Sequence, residues 1–123
     1  MKKPTNRPAE GADLFDRDAA LRQAGDDDEI LRELAEVFLE QAPELVDRIR
    51  TSASAGEPSE LRRAAHTMKG SATVFAAAPV AEAALRVETL AREERMEEAD
   101  AAVEALEPLV ERLVGELRSY LEV

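Results

Sequence analysis

Residues 61–75 read LRRAAHTMKGSATVF, and wound as a helix at about 100° per residue they separate into two faces. Leu61, Ala64, Ala65, Met68, Ala72 and Phe75 fall within an arc of about 100°, the width of a core-facing stripe. His66, the only histidine in the chain, lies outside that arc. Its helical neighbours at spacings of three, four and seven are Arg62, Arg63, Lys69, Gly70 and Thr73. An imidazole held out to solvent among cations, with a glycine beside it, suits chemistry with an anion.

The rest of the chain supports a helical reading. At 123 residues it forms one domain. Hydrophobic residues make up 45% but aromatics only 3%, so the core is built of Ala, Leu and Val. That composition suits close-packed helices better than a β-sandwich. With no cysteine and one histidine, disulfides, thiolate sites and His-rich zinc sites are excluded. A di-iron bundle needs Glu-x-x-His pairs, and Arg63 stands three before His66. No metal site is expected.

A net charge of −11 argues against nucleic acid, whose phosphates require clustered cations, and against an anionic membrane surface. The longest apolar run, Val74 to Ala81, is eight residues and contains Pro79, too short for a bilayer span. Residues 1–12 are polar and Pro/Gly-rich, read as a disordered tail before a domain at 13–123; the tail lacks an apolar signal core. A cytoplasmic location is expected.

Four main helices are predicted, preceded by a short one. The short helix starts at Asp16 as N-cap, with Phe15 and Ala20 as a hydrophobic staple and Gly25 just past its end. Asp26-Asp27-Asp28-Glu29 opens the next helix with negative charge at its positive end. Ile30, Leu34, Val37, Phe38, Leu45, Val46 and Ile49 continue an apolar stripe there to about Thr51. Pro43 removes a backbone donor and predicts a kink or break. Ser52–Pro58 is the turn into the histidine helix. A further helix runs from about Pro79 to Arg95 with Val80, Ala84, Val87 and Ala91 on one face. The last spans about Met96 to Glu122, with Val103, Leu106, Val110, Leu113, Leu117 and Tyr120 or Leu121 facing inward and a bend or restart at Pro108. Short connections favour an all-α, up-down antiparallel four-helix bundle with a short additional N-terminal helix.

The hairpin geometry adds a second site residue. With a turn centred on Ala77, His66 lies eleven residues before it and Glu88 eleven after, so the two side chains reach the same height on adjacent helices. Glu88 is flanked by Ala81, Ala84 and Ala91, a face of small residues that shields a carboxylate. A carboxylate on one ring nitrogen fixes the tautomer and leaves the other nitrogen as a free lone pair, which makes a nucleophile. Lys69, one turn on, is placed to neutralise an anion on the ring. Glycine at position 70 costs ~1 kcal/mol against alanine inside a helix, and close approach by a partner explains it.

Ala65-His66-Thr67-Met68-Lys69-Gly70-Ser71-Ala72 resembles the A-H-x-L-K-G-S-A signature of the histidine-containing phosphotransfer (HPt) domains of two-component phosphorelays, with Met68 in the Leu position. Val87-Glu88 is similar to the Leu-Glu pair on that family's following helix. Leu34 to Pro43 matches its Leu-x-x-x-Phe-Leu-x-x-x-Pro pattern. The resemblance implies that His66 accepts a phosphoryl group at Nε2 from a receiver-domain aspartate and passes it to another receiver. It implies that Lys69 contacts the phosphoryl oxygens and that Glu88 orients the imidazole. Gly70, Arg62, Arg63 and Thr73 then belong to the receiver-facing surface. Partners would be response-regulator receiver domains and a hybrid histidine kinase, with the chain a monomer. No cofactor is implied, Mg²⁺ belonging to the partner receiver.

Two departures stand out: Ala76 where the family often has glycine, and Thr73-Val74 where an Asn is common shortly before it. The first predicts a differently shaped end to the histidine helix. There is no G-x-x-x-x-G-K-[ST] nucleotide loop, and Thr67 and Ser71 break the H-E-x-x-x-P pattern of kinase dimerisation helices. The protein is therefore expected to be a phosphotransfer intermediate without kinase activity. The alternatives are the phosphoacceptor domain of a chemotaxis-type kinase and a non-phosphorylated helical adaptor.

Overall fold

The computed structural model describes residues 13–122; the tail expected at 1–12 lies outside the described residues. Five helices follow one another: α1 (Arg17–Gln23), α2 (Asp28–Ser54), α3 (Pro58–Val74), α4 (Ala78–Arg92) and α5 (Met96–Leu121). Helix α2 packs on α3 and α5, and α4 packs on α3 and α5, so the four long helices close into a bundle. The fold is the expected all-helical bundle with a short extra helix at its N-terminus.

Local chemistry accounts for most of the helix ends. Asp16 caps α1 by accepting from the Ala19 N–H, and Asp27 caps α2 by accepting from Glu29 and Ile30. Gly25 takes the left-handed conformation past α1, at φ 71°. Pro58 and Pro79 occupy the first turns of α3 and α4, where a missing N–H costs no hydrogen bond. Helix α4 ends at Arg92 rather than Arg95, because Glu94 adopts φ 60° and Arg95 N–H bonds back to the Leu90 carbonyl. Helix α2 runs to Ser54, three residues beyond the expected end.

Neither internal proline breaks its helix. Helix α2 continues through Pro43 and α5 through Pro108. Both prolines are exposed, so the carbonyls of Leu39 and Glu104, deprived of an N–H partner four residues on, lie on wet faces where water can replace it.

The histidine helix buries the six residues of its stripe: Leu61, Ala64, Ala65, Met68 and Ala72 are fully buried and Phe75 nearly so. Helices α4 and α5 likewise bury the residues expected of them, with Tyr120 rather than Leu121 inside. Helix α2 differs. Its core positions are Leu31, Ala35, Phe38, Ala42, Leu45 and Ile49, while Ile30, Leu34 and Val37 face solvent. Phe38, Leu45 and Ile49 of the expected stripe are therefore inside, joined by Leu31, Ala35 and Ala42, while the N-terminal part of that stripe is displaced to solvent.

All four aromatic residues of the chain meet at one end of the bundle. Phe75, the cap residue of α3, lies 5.6 Å from Phe38 and 6.1 Å from Phe15 between ring centres, and Phe15 lies 5.3 Å from Tyr120. The N–H of Asp16 donates to the Phe75 carbonyl at 3.3 Å, and Glu116 Oε1 accepts from the N–H groups of Leu14 and Phe15 at 2.8 Å each. The segment before α1 is thereby fixed to α5 and to the end of the histidine helix. Ala76 follows at φ 50°. The Ala77 N–H reaches the Ala72 carbonyl and the Ala76 N–H that of Thr73, a Schellman closure. The absence of glycine at position 76 therefore does not reshape this helix end; alanine takes the left-handed conformation that glycine favours.

Candidate functional site

Burial of the α3 stripe turns His66 outward, and its side chain is 65% exposed. Helix α4 runs alongside with Glu88 facing the seam. Of the chain's acidic residues with described burial, Glu88 is the one that is buried, at 4% exposure. His66 Nδ1 lies 3.0 Å from Glu88 Oε2. An ionised carboxylate can only accept, so Nδ1 carries the proton of this bond, and the lone pair of the neutral ring lies on Nε2. Nε2 has no hydrogen-bond partner among the described residues.

Three donors converge on Glu88. Lys69 Nζ lies 3.0 Å from Oε1, and Arg92 Nη2 lies 3.1 Å from Oε2, the oxygen that also takes His66. The contact of Oε1 with Lys69 is one of charge, too oblique for a directed hydrogen bond. Burial by itself pushes the Glu88 carboxyl up. The positive charge of Lys69, and then the contact with His66, outweigh burial, so the group sits below its ordinary value and is ionised at neutral pH.

The remaining expected residues occupy the same exposed side of α3. Gly70 is exposed, and a methyl group placed on it would meet nothing within 4 Å. Close packing between helices is therefore not what glycine serves here. Thr73 is exposed and its hydroxyl donates to the Lys69 carbonyl at 2.9 Å. Arg63 is exposed and pairs with Glu60 at 3.4 Å. Arg62 makes no ion pair among the described residues.

Arg92 is the member of the cluster that the reading of the sequence missed. The signal was present as a Glu-to-Arg spacing of four on one helix, but such pairs are frequent in a chain this rich in charge. A second missed feature is the run Ile30, Leu34 and Val37, 44%, 39% and 48% exposed on α2. Val37 adjoins Phe38, whose ring packs on Phe75, so the Val37 end of this patch is level with the C-terminal end of α3. That is nine residues, or about 14 Å of helix, from His66.

His66 lies on an open surface and not in a cleft. A groove of about 410 Å³ lies between α2 and α5, lined by Leu39, Pro43, Val46, Val110 and Val114 among others, and contains none of the site residues. Among the described residues no group of three His, Cys, Asp or Glu side chains is placed to hold a metal ion. No described helix is long and apolar enough to cross a membrane. An exposed nucleophile with a fixed tautomer and adjacent cations, but no enclosing pocket, can react with a group that a partner presents and encloses.

Comparison with known proteins gives a concordant picture. A search of curated proteins returns no significant match. Among solved structures, the chain is similar to histidine-containing phosphotransfer protein B (HptB) from Pseudomonas aeruginosa PAO1, with a TM-score of 0.82 and 20% sequence identity over 91% of this chain and 97% of that one. At that identity the likeness speaks to the fold. The sequence model described as the Hpt domain matches residues 33–119. That span takes in most of α2 and α5 and the whole α3–α4 hairpin with His66 and Glu88, and on it the chain belongs to the Hpt domain family.

Proposed function

We infer that this chain is a phosphorelay intermediate, taking a phosphoryl group on His66 from a receiver-domain aspartate and giving it to another receiver. The observation that carries the reading is the contact between His66 Nδ1 and the buried Glu88 carboxylate, 3.0 Å long, on a ring otherwise open to solvent.

The step follows from that geometry. The Nε2 lone pair attacks phosphorus, the P–O bond to the aspartate breaks, and the aspartate leaves as a carboxylate. The Nδ1 proton stays in place, so the ring gains a positive charge as the N–P bond forms. Glu88 already faces that proton, which makes it a preorganised counter-charge for the product ring. Lys69 swings from Oε1 to the phosphoryl oxygens, and Gly70 leaves room beside the ring for the donor. Reversal of the same step passes the group on. The phosphoryl group is enclosed by the receiver, and Mg²⁺ belongs to the receiver's acidic pocket.

The surface suits such a partner. Arg62, Arg63 and Lys69, with Thr73 beyond them, surround His66 with positive charge on a chain of net charge −11. This local sign steers an acidic pocket toward the ring. Ile30, Leu34 and Val37 offer an apolar footing for the same partner near the end of α3. The protein acts as a cytoplasmic monomer, and no kinase activity of its own is required.

A phosphorylated receiver should label this protein with an acid-labile, alkali-stable phosphate. The variant His66→Gln should lose the label and keep its helical content by circular dichroism. Labelling that persists in that variant overturns the assignment. Labelling by a kinase catalytic core with ATP, but not by phospho-receivers, would place the chain as a phosphoacceptor domain of a chemotaxis-type kinase. Tight receiver binding without transfer, indifferent to His66 replacement, would make it an adaptor.

A further inference from the structure

The Glu88 carboxylate has two cations, one more than its charge requires, and they come from different directions. Lys69 reaches across from α3 to Oε1, while Arg92 reaches back along α4 to Oε2. On the reading above, Lys69 must leave for the phosphoryl oxygens at the moment the ring becomes positive. Glu88, 4% exposed, would then lie buried with the ring as its sole partner unless a second cation stayed behind. Arg92 can stay. It belongs to the same helix as Glu88, four residues on, and it touches the oxygen that receives His66 Nδ1.

We propose that Arg92 is a positioning residue that holds Glu88 Oε2 on His66 Nδ1, leaving Lys69 free to serve the phosphoryl group. This rests on the phosphotransfer reading and divides its two cations by task. Arg92 acts through Glu88 and need not touch the transferred group. A plain structural role also exists for it: a cation in the last turn of α4 complements the helix dipole and makes an ordinary pair at a spacing of four. That role would leave the imidazole unchanged.

The two roles separate on the whole 123-residue chain. Because His66 is the only histidine, ¹⁵N-detected NMR of the imidazole reports its tautomer directly. In Arg92→Gln the preference for the Nδ1–H form should weaken, and kcat for transfer from a phosphorylated receiver should fall about tenfold with KM unchanged. Arg92→Lys, which keeps a cation within reach, should bring kcat back to within about threefold of wild type. Lys69→Gln should keep the tautomer and lose transfer.

Wild-type imidazole signals and kcat in Arg92→Gln would overturn the proposal. So would a loss confined to KM, which marks a docking contact, or loss of the tautomer in Lys69→Gln, which would assign the holding role to lysine. The imidazole spectrum needs no partner. If wild-type protein accepts no phosphoryl group, the phosphotransfer reading fails, while the tautomer comparison still decides whether Arg92 holds Glu88.

Discussion

Glu88 Oε2 meets His66 Nδ1 at 3.0 Å across the α3–α4 seam, joining an imidazole that is 65% exposed to a carboxylate that is almost wholly buried. An acid this buried survives as an anion because its donors outweigh the loss of water. The relationship makes stability and chemistry titrate together at one residue.

Glu88→Gln should therefore lower stability at neutral pH by about 1 kcal/mol, below the usual range for bonds to a charged group because Arg92 and Lys69 remain partly solvated. The Glu88 carboxyl is more acidic folded than unfolded. Its contribution is complete above the ordinary glutamate range and is lost as pH falls through the folded value. Urea midpoints of wild type and Glu88→Gln should converge on acidification, and transfer by the variant should be slow at neutral pH. A gap in midpoint that stays constant into acid would show that Glu88 is not held as an anion.

Gly70→Ala should move stability and function in opposite directions. A Cβ there meets nothing within 4 Å, so the helix gains about 1 kcal/mol and the melting temperature rises by about 4 °C. Transfer to and from receivers should slow, because the new methyl group stands beside the ring where a partner closes in. Equal transfer rates would remove Gly70 from the contact surface.

Ala76→Gly should stabilise the protein without touching the site. Alanine at φ 50° carries a left-handed penalty of about 1 kcal/mol, partly offset by glycine's greater freedom when unfolded. A net gain of about 0.5 kcal/mol in denaturant unfolding is expected, with transfer unchanged. A loss of stability would mean the Schellman closure tolerates alanine without strain.

Tyr120 gives a spectroscopic check on the end of the bundle. Burial, then donation to Asp28, pushes its phenol up to about 12, with Arg17 and Arg32 stacked over its ring at 5.2 Å and 5.3 Å opposing that shift. A folded value above the unfolded one stabilises the fold below about pH 10 and loses that contribution as pH rises toward 12. The chain has one tyrosine and no tryptophan, so ultraviolet absorbance follows this phenol alone. Ionisation at the ordinary value in folded protein would contradict the packing of Phe15 and Tyr120.

The histidine helix was legible because its buried stripe combines spacing with size: Leu61, Met68 and Phe75 recur every seven residues, and alanines fill between them. Glu88 was legible because a hairpin with a short turn converts sequence distance into height. Helix α2 misled for the opposite reason. Its bulky Ile30, Leu34 and Val37 lead into the stripe of Phe38, Leu45 and Ile49, yet Leu31, Ala35 and Ala42 take their places in the core, and small residues give hydropathy little to weigh. The end of α4 was hidden because Glu94, not glycine, takes the left-handed turn. Arg92 was hidden in a surface crowded with charge, where burial of its partner could not be read from spacing.

The placement of the prolines has a mechanical consequence. Pro58 and Pro79 sit in first turns, so the hydrogen-bond ladders of α3 and α4 are complete, whereas α2 and α5 each lose a rung in mid-span, at Pro43 and Pro108. The missing rungs are thus confined to α2 and α5, and the hairpin that carries His66 and Glu88 keeps its ladder whole. On the phosphotransfer reading, an unbroken ladder on both sides of the seam suits a site that must present one geometry, His66 Nδ1 on Glu88 Oε2, to partners of different shape.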